Sequence, residues 1–577
     1  VNATLLPHGA IAVTDAYRQR EALAALDGAV WAAGIKAWVL DATPANAASL
    51  AALCALPPEI EALLPAPEVR ERPVDDGRWL TSARPYAHQR EAVAAAMTHF
   101  ERGGRGFALL MEMGCGKTLA ALEVAARLHV TSTVERVLVV CPSSVVPVWT
   151  REVAAFLPGA ESRELVGTRA KRLEALDQLS RLQGSGVPLV VAIVNYESAW
   201  RLADELVAWS PGLVVADESQ RIKGHATKQT KGVTRIGRSA GYRLALSGTP
   251  VTNGPLDVFA QWRFLDESVF GPSYYAFRAR YAVMGGYEGK QVVGYRVLDE
   301  LVRRAHRIAY RVTKADALDL PETTDVTVPV VLSPAERRAY DELARESVTE
   351  LGGSEVSVTN ILTRLLRLQQ IASGSVPADG GPTVELGSSK VDAVLELVDE
   401  AVSGGGKVVV FCRFRSEVAR ISSALPGALV LTGDTPQAER GELVRSFQED
   451  HGVRVLVAQI QVGGAGITLT AASTMVFCSA SFNYSDFEQA KARIHRIGQA
   501  QPCTYYHVVA RDTVDELIAE ALARKCDVAR LVVDRGAGVI QPKRPQGASA
   551  GESALSGADE ARAMLRGDAS REEGRAR

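Results

Sequence analysis

The sequence predicts an α/β protein with two parallel-sheet lobes separated by a helical insertion, a small α+β unit ahead of them and a disordered tail behind. Three observations lead there. Short β-branched apolar runs alternate with helical patterns over 80–265, and the same alternation returns over 386–535. A glycine-rich turn closes the first of these runs, and adjacent carboxylates close a later one. Far downstream, at residues 493 and 496, two arginines stand three positions apart, a spacing that puts both on one face of a helix.

In chain order, residues 1–72 form an Ala-rich unit of mixed periodicity, and the Pro- and charge-rich stretch 65–73 reads as a linker. In the first lobe the runs 107–110, 137–140, 189–194, 213–215 and 243–246 have strand length and are apolar on both faces. Strands of that kind need helices covering each side of the sheet. The stretch 266–385 is aromatic and Arg-rich at first, then helical over 334–344 and 360–372. The second lobe supplies strands at 407–412, 428–431, 453–458 and 474–477. Over 536–577 the chain turns to Gly, Ala, Ser, Pro and charge, with too few large apolar groups to offset ordering entropy.

The 577 residues suffice for several domains, each with its own core. Lys+Arg number 65 against Asp+Glu 67, a net charge of -2, so no global basic field draws in nucleic acid and any phosphate-backbone binding must come from a local groove. The seven cysteines include no C-x-x-C pair and no Cys/His cluster at zinc spacing, so neither a disulfide framework nor a metal site is expected from them. No uncharged apolar run reaches the roughly 18 residues of a spanning helix. The expectation is a reduced cytoplasmic setting, neither secreted nor membrane-embedded.

The chemistry begins at Met111-Glu112-Met113-Gly114-Cys115-Gly116-Lys117-Thr118. Gly114 and Gly116 bracket a turn in which missing side chains let backbone N–H groups face phosphate oxygens, although Met111 stands at the first glycine position of the usual phosphate-loop pattern. Lys117 is placed to neutralise β and γ phosphates, and Thr118 to ligate magnesium at the start of a helix whose dipole favours anions. The apolar run at 213–216 leads straight into Asp217-Glu218. Nucleotide hydrolysis needs one carboxylate near magnesium and another to orient or deprotonate water, so Asp217 is assigned to the metal shell and Glu218 to the base. Ser247 and Thr249, in Ser247-Gly248-Thr249-Pro250, end another strand in hydroxyls suited to linking the acid pair to a mobile loop. If the fold brings Arg493 and Arg496 to the phosphate loop, nucleotide sits in a cleft between lobes.

Taken in this order, these segments closely resemble the superfamily 2 helicase-like ATPases, and among them the SWI/SNF-type DNA translocases. Further marks are Arg84-Pro85-Tyr86-Ala87-His88-Gln89, Trp149 within 142–152, Asn195-Tyr196-Glu197, Leu366-Arg367 with the residues up to Gly374, Gly463-Gly464-Ala465-Gly466-Ile467-Thr468-Leu469-Thr470, and Arg493-Ile494-His495-Arg496-Ile497-Gly498-Gln499. The resemblance covers about 80–535 and implies two RecA-like lobes that hydrolyse ATP with magnesium. By the same resemblance Gln89 recognises adenine, Gln489 opens the last helicase motif at the ATP site, and Arg493 and Arg496 are arginine fingers. It also implies coupling through Gln220, Ser247, Thr249 and Gly466, and DNA-backbone contacts at Ser143, Ser144, Tyr196, Lys223, Arg413, Gly463, Gly464 and Thr468.

Two departures stand out. Gln220 replaces the histidine usual after the acid pair, altering the link to Ser247 while keeping an amide that can bridge by hydrogen bonds. The insertion is short and no bromodomain-, chromodomain- or finger-like module is visible, which argues against a large nucleosome remodeller. At the N-terminus, the segment holding Trp31 and Trp38 resembles the small HepA-related domain of annealing-helicase relatives. The expected activity is a DNA-stimulated ATPase moving along duplex or branched DNA in a bacterial or phage-infected cell, associated with the nucleoid. The alternatives are a strand-separating DNA or RNA helicase and a nucleotide-gated DNA clamp with weak hydrolysis.

Overall fold

The computed structural model describes residues 79–132, 134–285, 291–351, 358–377, 383–463 and 467–533, together with Gly77 and, in the N-terminal unit, 2–6, 10–14, 23, 28–43, 46–47, 50 and 56–61. The linker expected at 65–73 and the tail expected at 536–577 lie outside the described residues, as do Gly464 and Gly466.

Seven strands form the first sheet, in the spatial order Ala309–Val312, Gly106–Met111, Tyr242–Leu246, Leu213–Asp217, Arg136–Cys141, Leu189–Asn195 and Ala160–Glu164. Every neighbouring pair is parallel. The three strands that the chemistry depends on sit side by side: Gly106–Met111 leads into the phosphate loop, Tyr242–Leu246 into Ser247, and Leu213–Asp217 ends on the metal-shell acid. Gly106–Met111 and Leu213–Asp217 are buried at every position, as the unbroken apolar runs require of a sheet covered on both faces.

The second sheet has six strands, in the order Thr323–Val330, Cys503–Ala510, Thr474–Phe477, Val408–Cys412, Val455–Gln459 and Leu429–Leu431, again all parallel. Its alternate residues feed separate cores. Val409, Phe411, Leu456, Met475 and Phe477 pack on one face, while Val408, Val410, Val455, Val457 and Val476 pack on the other.

The stretch 266–385, read from the sequence as helical, holds the helices Pro334–Leu351 and Val358–Ala372 but also gives one strand to each sheet, Ala309–Val312 and Thr323–Val330. Both strands escape sequence reading because they are edge strands. Ala309–Val312 is only four residues long, and Thr323–Val330 alternates exposed and half-buried positions, so neither shows a continuous apolar run. The polar edge strand Ala160–Glu164 is missed for the same reason.

The N-terminal unit is a four-stranded antiparallel sheet, ordered Asn2–Leu5, Ala10–Thr14, Ala37–Asp41, Val30–Ala32. It has a core of its own around Ile11, Val13, Leu40 and Ile60. Trp31 and Trp38 pair edge to face between the neighbouring strands Val30–Ala32 and Ala37–Asp41, with ring centroids 5.7 Å apart. No helix among the described residues is long and apolar enough to cross a membrane.

Candidate nucleotide site between the lobes

The loop after Gly106–Met111 turns through two left-handed glycines, Gly114 at φ +92° and Gly116 at φ +77°, before the helix Lys117–Ser132 begins. Side chains rarely adopt that conformation, and the space is also closed: a Cβ on Gly116 would fall 2.0 Å from Gln89 Nε2. Lys117 Nζ donates to the carbonyls of Met111 at 2.9 Å and Glu112 at 3.3 Å, so its charge is held over the loop. Gln89 is buried beneath it. Its Oε1 accepts from Tyr86 N at 2.9 Å and its Nε2 donates to Cys115 O at 3.4 Å, so the amide ties the preceding helix to the loop. Next to it the His88 ring lies 2.9 Å from the same Cys115 carbonyl.

Asp217 ends its strand and Glu218 follows it. Asp217 is buried, and burial together with the neighbouring Glu218 charge pushes its carboxyl up to about 6 despite a hydrogen bond from Trp149. That bond runs from Trp149 Nε1 to Asp217 Oδ2 at 2.9 Å, while Glu218 N donates to Oδ1 at 3.0 Å. Each oxygen keeps lone-pair capacity, so a carboxylate with the Thr118 hydroxyl is a hard-oxygen donor set that suits magnesium. A cation there would oppose the upward shift by favouring the ionised form. Glu218 sits at φ 53°, ψ 54°, a left-handed turn that aims its side chain away from the strand direction.

From Glu218 a hydrogen-bonded path leads across to the other lobe. Gln220 Nε2 donates to Glu218 Oε2 at 2.6 Å and to Ser485 Oγ at 3.4 Å, while Gln220 Oε1 accepts from Ser247 Oγ at 2.7 Å. Ser247 Oγ in turn accepts from Thr249 N at 3.1 Å, and the Thr249 hydroxyl lies 3.4 Å from Ser485 Oγ. Gln489 Nε2 donates to Ser485 Oγ at 3.4 Å. Ser485 and Gln489, one turn apart on the helix Tyr484–Lys491, thus carry the second-lobe end of the path. A lone serine on a helix gives no sequence signal, which is why Ser485 was not among the expected residues.

The helix expected to carry both arginines stops short. It ends at Lys491, and residues 492–498 run as turns and bends. Arg493 and Arg496 still converge, because the guanidinium of each donates to Ile467 O, at 3.4 Å and 3.5 Å. Arg493 is drawn down to about 10 by burial and by Arg496, with Glu218 opposing the shift. Arg496 faces the phosphate loop itself: a Cβ on Gly114 would stand 3.2 Å from Arg496 Cβ. A third cation reinforces the contact. Lys314 Nζ donates to His495 O at 2.8 Å while its own N–H donates to Glu112 Oε2 at 2.6 Å, joining the two loops. Lys314 follows the unexpected edge strand, so its place was not visible from sequence.

The residues assigned to DNA fare unevenly. Ser143 is exposed and Ser144 half-buried in the turn after Arg136–Cys141, where Ser143 Oγ accepts from Asn195 Nδ2 at 3.0 Å. Tyr196 is a correction: it is fully buried, and its hydroxyl donates to Asp217 O at 2.7 Å, leaving no face for a DNA backbone. It braces the acid strand instead. Lys223 bonds the Thr252 hydroxyl and lies 3.9 Å from Asp257, and the Arg413 guanidinium bonds Gln369 Oε1. Gly463 ends the short helix Ile460–Gly463, and Thr468 is half-buried beyond the undescribed Gly464 and Gly466.

Comparison with known proteins adds what geometry alone does not. A model of the SNF2-related domain matches residues 88–374, and a model of the helicase conserved C-terminal domain matches 389–498. The chain is 28% identical over 460 residues to the SWI/SNF-related matrix-associated actin-dependent regulator of chromatin subfamily A-like protein 1 homolog of Caenorhabditis elegans, covering 77% of this chain and 61% of that one. It is 27% identical over 432 residues to the DNA annealing helicase and endonuclease ZRANB3 of Mus musculus, covering 72% and 38%. To Putative protein p41 of Acyrthosiphon pisum secondary endosymbiont phage 1 it is 28% identical over 447 residues, covering 73% and 93%. It therefore spans less than two thirds of the two animal relatives and nearly all of the phage one. The first match takes in the phosphate loop and acid pair and the second ends within the arginine turn, in the order in which the two sheets bring them together: the chain belongs to the SWI/SNF-type branch of the superfamily 2 helicase-like ATPases.

Proposed function

We propose that the chain hydrolyses ATP with magnesium and uses the cycle to move along duplex or branched DNA, gripping the phosphate backbone without reading bases. The observation that carries this reading is the closeness of Arg496 in the second lobe to Gly114 in the phosphate loop of the first. Hydrolysis then depends on how the lobes meet, and anything that orders their meeting sets the rate. DNA lying across both lobes is the natural agent, with Ser143, Ser144, Lys223, Arg413 and Thr468 as its candidate contacts.

In this scheme Lys117 and the loop amides hold the phosphates, Asp217 and Thr118 hold magnesium, and Glu218 orients and deprotonates the attacking water. Arg493 and Arg496 stabilise charge on the transferring phosphoryl group. The reading divides the chain into an accessory unit over 1–72, a first lobe over 80–265, an insertion over 266–385, a second lobe over 386–535 and a tail over 536–577. That one relative is a DNA annealing helicase and endonuclease supports DNA as the substrate; branched or forked DNA, in repair or recombination, is the form of it proposed here. The phage relative supports a bacterial or phage-infected cell as the setting.

The test is the ATPase rate with duplex, forked and single-stranded DNA and with RNA, for the wild type and Arg496→Ala. The expected result is stimulation by duplex or forked DNA that falls about a thousandfold or more in the variant, with Arg496→Lys rescuing poorly. Stimulation by single strands or RNA alone would replace this reading with a strand-separating helicase. No stimulation at all would leave only a nucleotide-gated clamp.

A further inference from the structure

Cys412 and Cys478 are 66 residues apart in the sequence, yet Cys412 ends one strand of the second sheet, Cys478 directly follows the adjacent parallel strand Thr474–Phe477, and both are completely buried. Glu417, 1% exposed, comes to the same place from the first turn of the helix Arg415–Ala424. The two sulfurs and a Glu417 carboxylate oxygen all lie within 4.8 Å of one another. The carboxylate is used one-sidedly: Oε2 accepts from Arg413 N at 3.1 Å, Phe414 N at 3.0 Å and Ser479 Oγ at 2.6 Å. Its Oε1, although buried, has no donor among the described residues. Capping the helix accounts for Oε2 and leaves Oε1 with a desolvation cost that nothing offsets.

We propose that Cys412, Cys478 and Glu417 form a binding site for a thiophilic d10 cation, Zn2+, at the C-terminal strand ends of the second sheet. Zinc takes thiolates at about 2.3 Å and carboxylate oxygen at about 2.0–2.2 Å, which puts tetrahedral donors on the order of 3.5–3.8 Å apart. Donors within 4.8 Å of one another reach that arrangement by small side-chain movements. On binding, the two S–H bonds break, two Zn–S bonds form and two protons pass to solvent. Lys390 lies close to Cys478 and Glu417, with its ammonium paired to Asp515 Oδ2 at 2.6 Å.

The site stands at a structural junction. Arg413, next to Cys412, bonds Gln369 of the helix Val358–Ala372, and Gln369 Nε2 donates to Ala480 O at 2.6 Å, two residues beyond Cys478. A cation there would tie the strand ends to the helix Arg415–Ala424, beside the bonds that already reach Val358–Ala372.

Untagged full-length protein expressed with zinc supplementation, desalted and measured by elemental mass spectrometry, is expected to carry about one zinc per chain, the three protein ligands leaving one position open. Protein expressed with cobalt should show the thiolate-to-cobalt charge-transfer absorption of a two-sulfur site. In Cys412→Ser and Cys478→Ser both signals should disappear, and in Glu417→Gln they should weaken. A wild-type protein with no bound metal and no cobalt band would overturn the proposal without reference to any variant. Zinc retained at full stoichiometry in folded Cys412→Ser and Cys478→Ser proteins would overturn it too, and two inert buried thiols would then be the description of the site.

Discussion

Gln220 and Ser485 join the lobes: the amide that bonds the Glu218 carboxylate at 2.6 Å also donates to a second-lobe hydroxyl at 3.4 Å. A side chain with one bond to Glu218, the proposed base, and another to the opposite lobe makes the position of that carboxylate depend on lobe closure. Ser485→Ala should therefore lower DNA-stimulated ATPase severalfold while leaving basal hydrolysis within a factor of two, and Gln220→Ala should lower both. In a double-mutant cycle on the stimulated rate the pair should be non-additive. Additive losses would show that the two residues act separately.

Glu218→Gln should bind ATP and DNA as the wild type does and lose turnover, because the amide keeps the volume and cannot take a proton. Nucleotide titration and steady-state rates check this together. Near-normal turnover would move the base elsewhere.

The raised Asp217 carboxyl gives a pH signature. Its folded value of about 6 lies above the ordinary 3.8, so without a cation this group favours the folded state at low pH, and that contribution is lost as pH rises through 6. Magnesium, which needs the ionised form, should bind more weakly at pH 5.5 than at pH 7.5 and should raise the melting temperature more at the higher pH. Trp149→Phe removes the 2.9 Å hydrogen bond that stabilises the ionised form and should move the acid limb of turnover to higher pH. The lost bond to a charged acceptor is worth about 1.5–3 kcal/mol. An acid limb that stays in place would mean that Asp217 does not govern magnesium-dependent turnover.

Removing residues 1–72 should leave duplex-stimulated ATPase intact and reduce activity on forked DNA. The four-stranded unit has its own core and half-exposes Trp31, as a substrate-reading module would. Equal rates on every DNA after truncation would refute that role.

The sequence by itself determined the two lobes and the chemistry at their edges. Unbroken apolar runs such as 213–216 can only be central strands, and Gly114, Gly116, Lys117, Asp217 and Glu218 mark the strand ends, where the backbone must turn and charge collects. Only the tertiary structure decided the connections between them. Ala309–Val312 and Thr323–Val330 became strands because a neighbour offered a free edge, which carries no local pattern. Tyr196 turned inward because its hydroxyl found the Asp217 carbonyl, though its sequence position pointed to DNA. Ser485, Lys314 and the Cys412–Cys478–Glu417 cluster were invisible beforehand for one reason: each acts through partners far away in the chain, and a spacing rule registers only groups that one helix or one loop brings together.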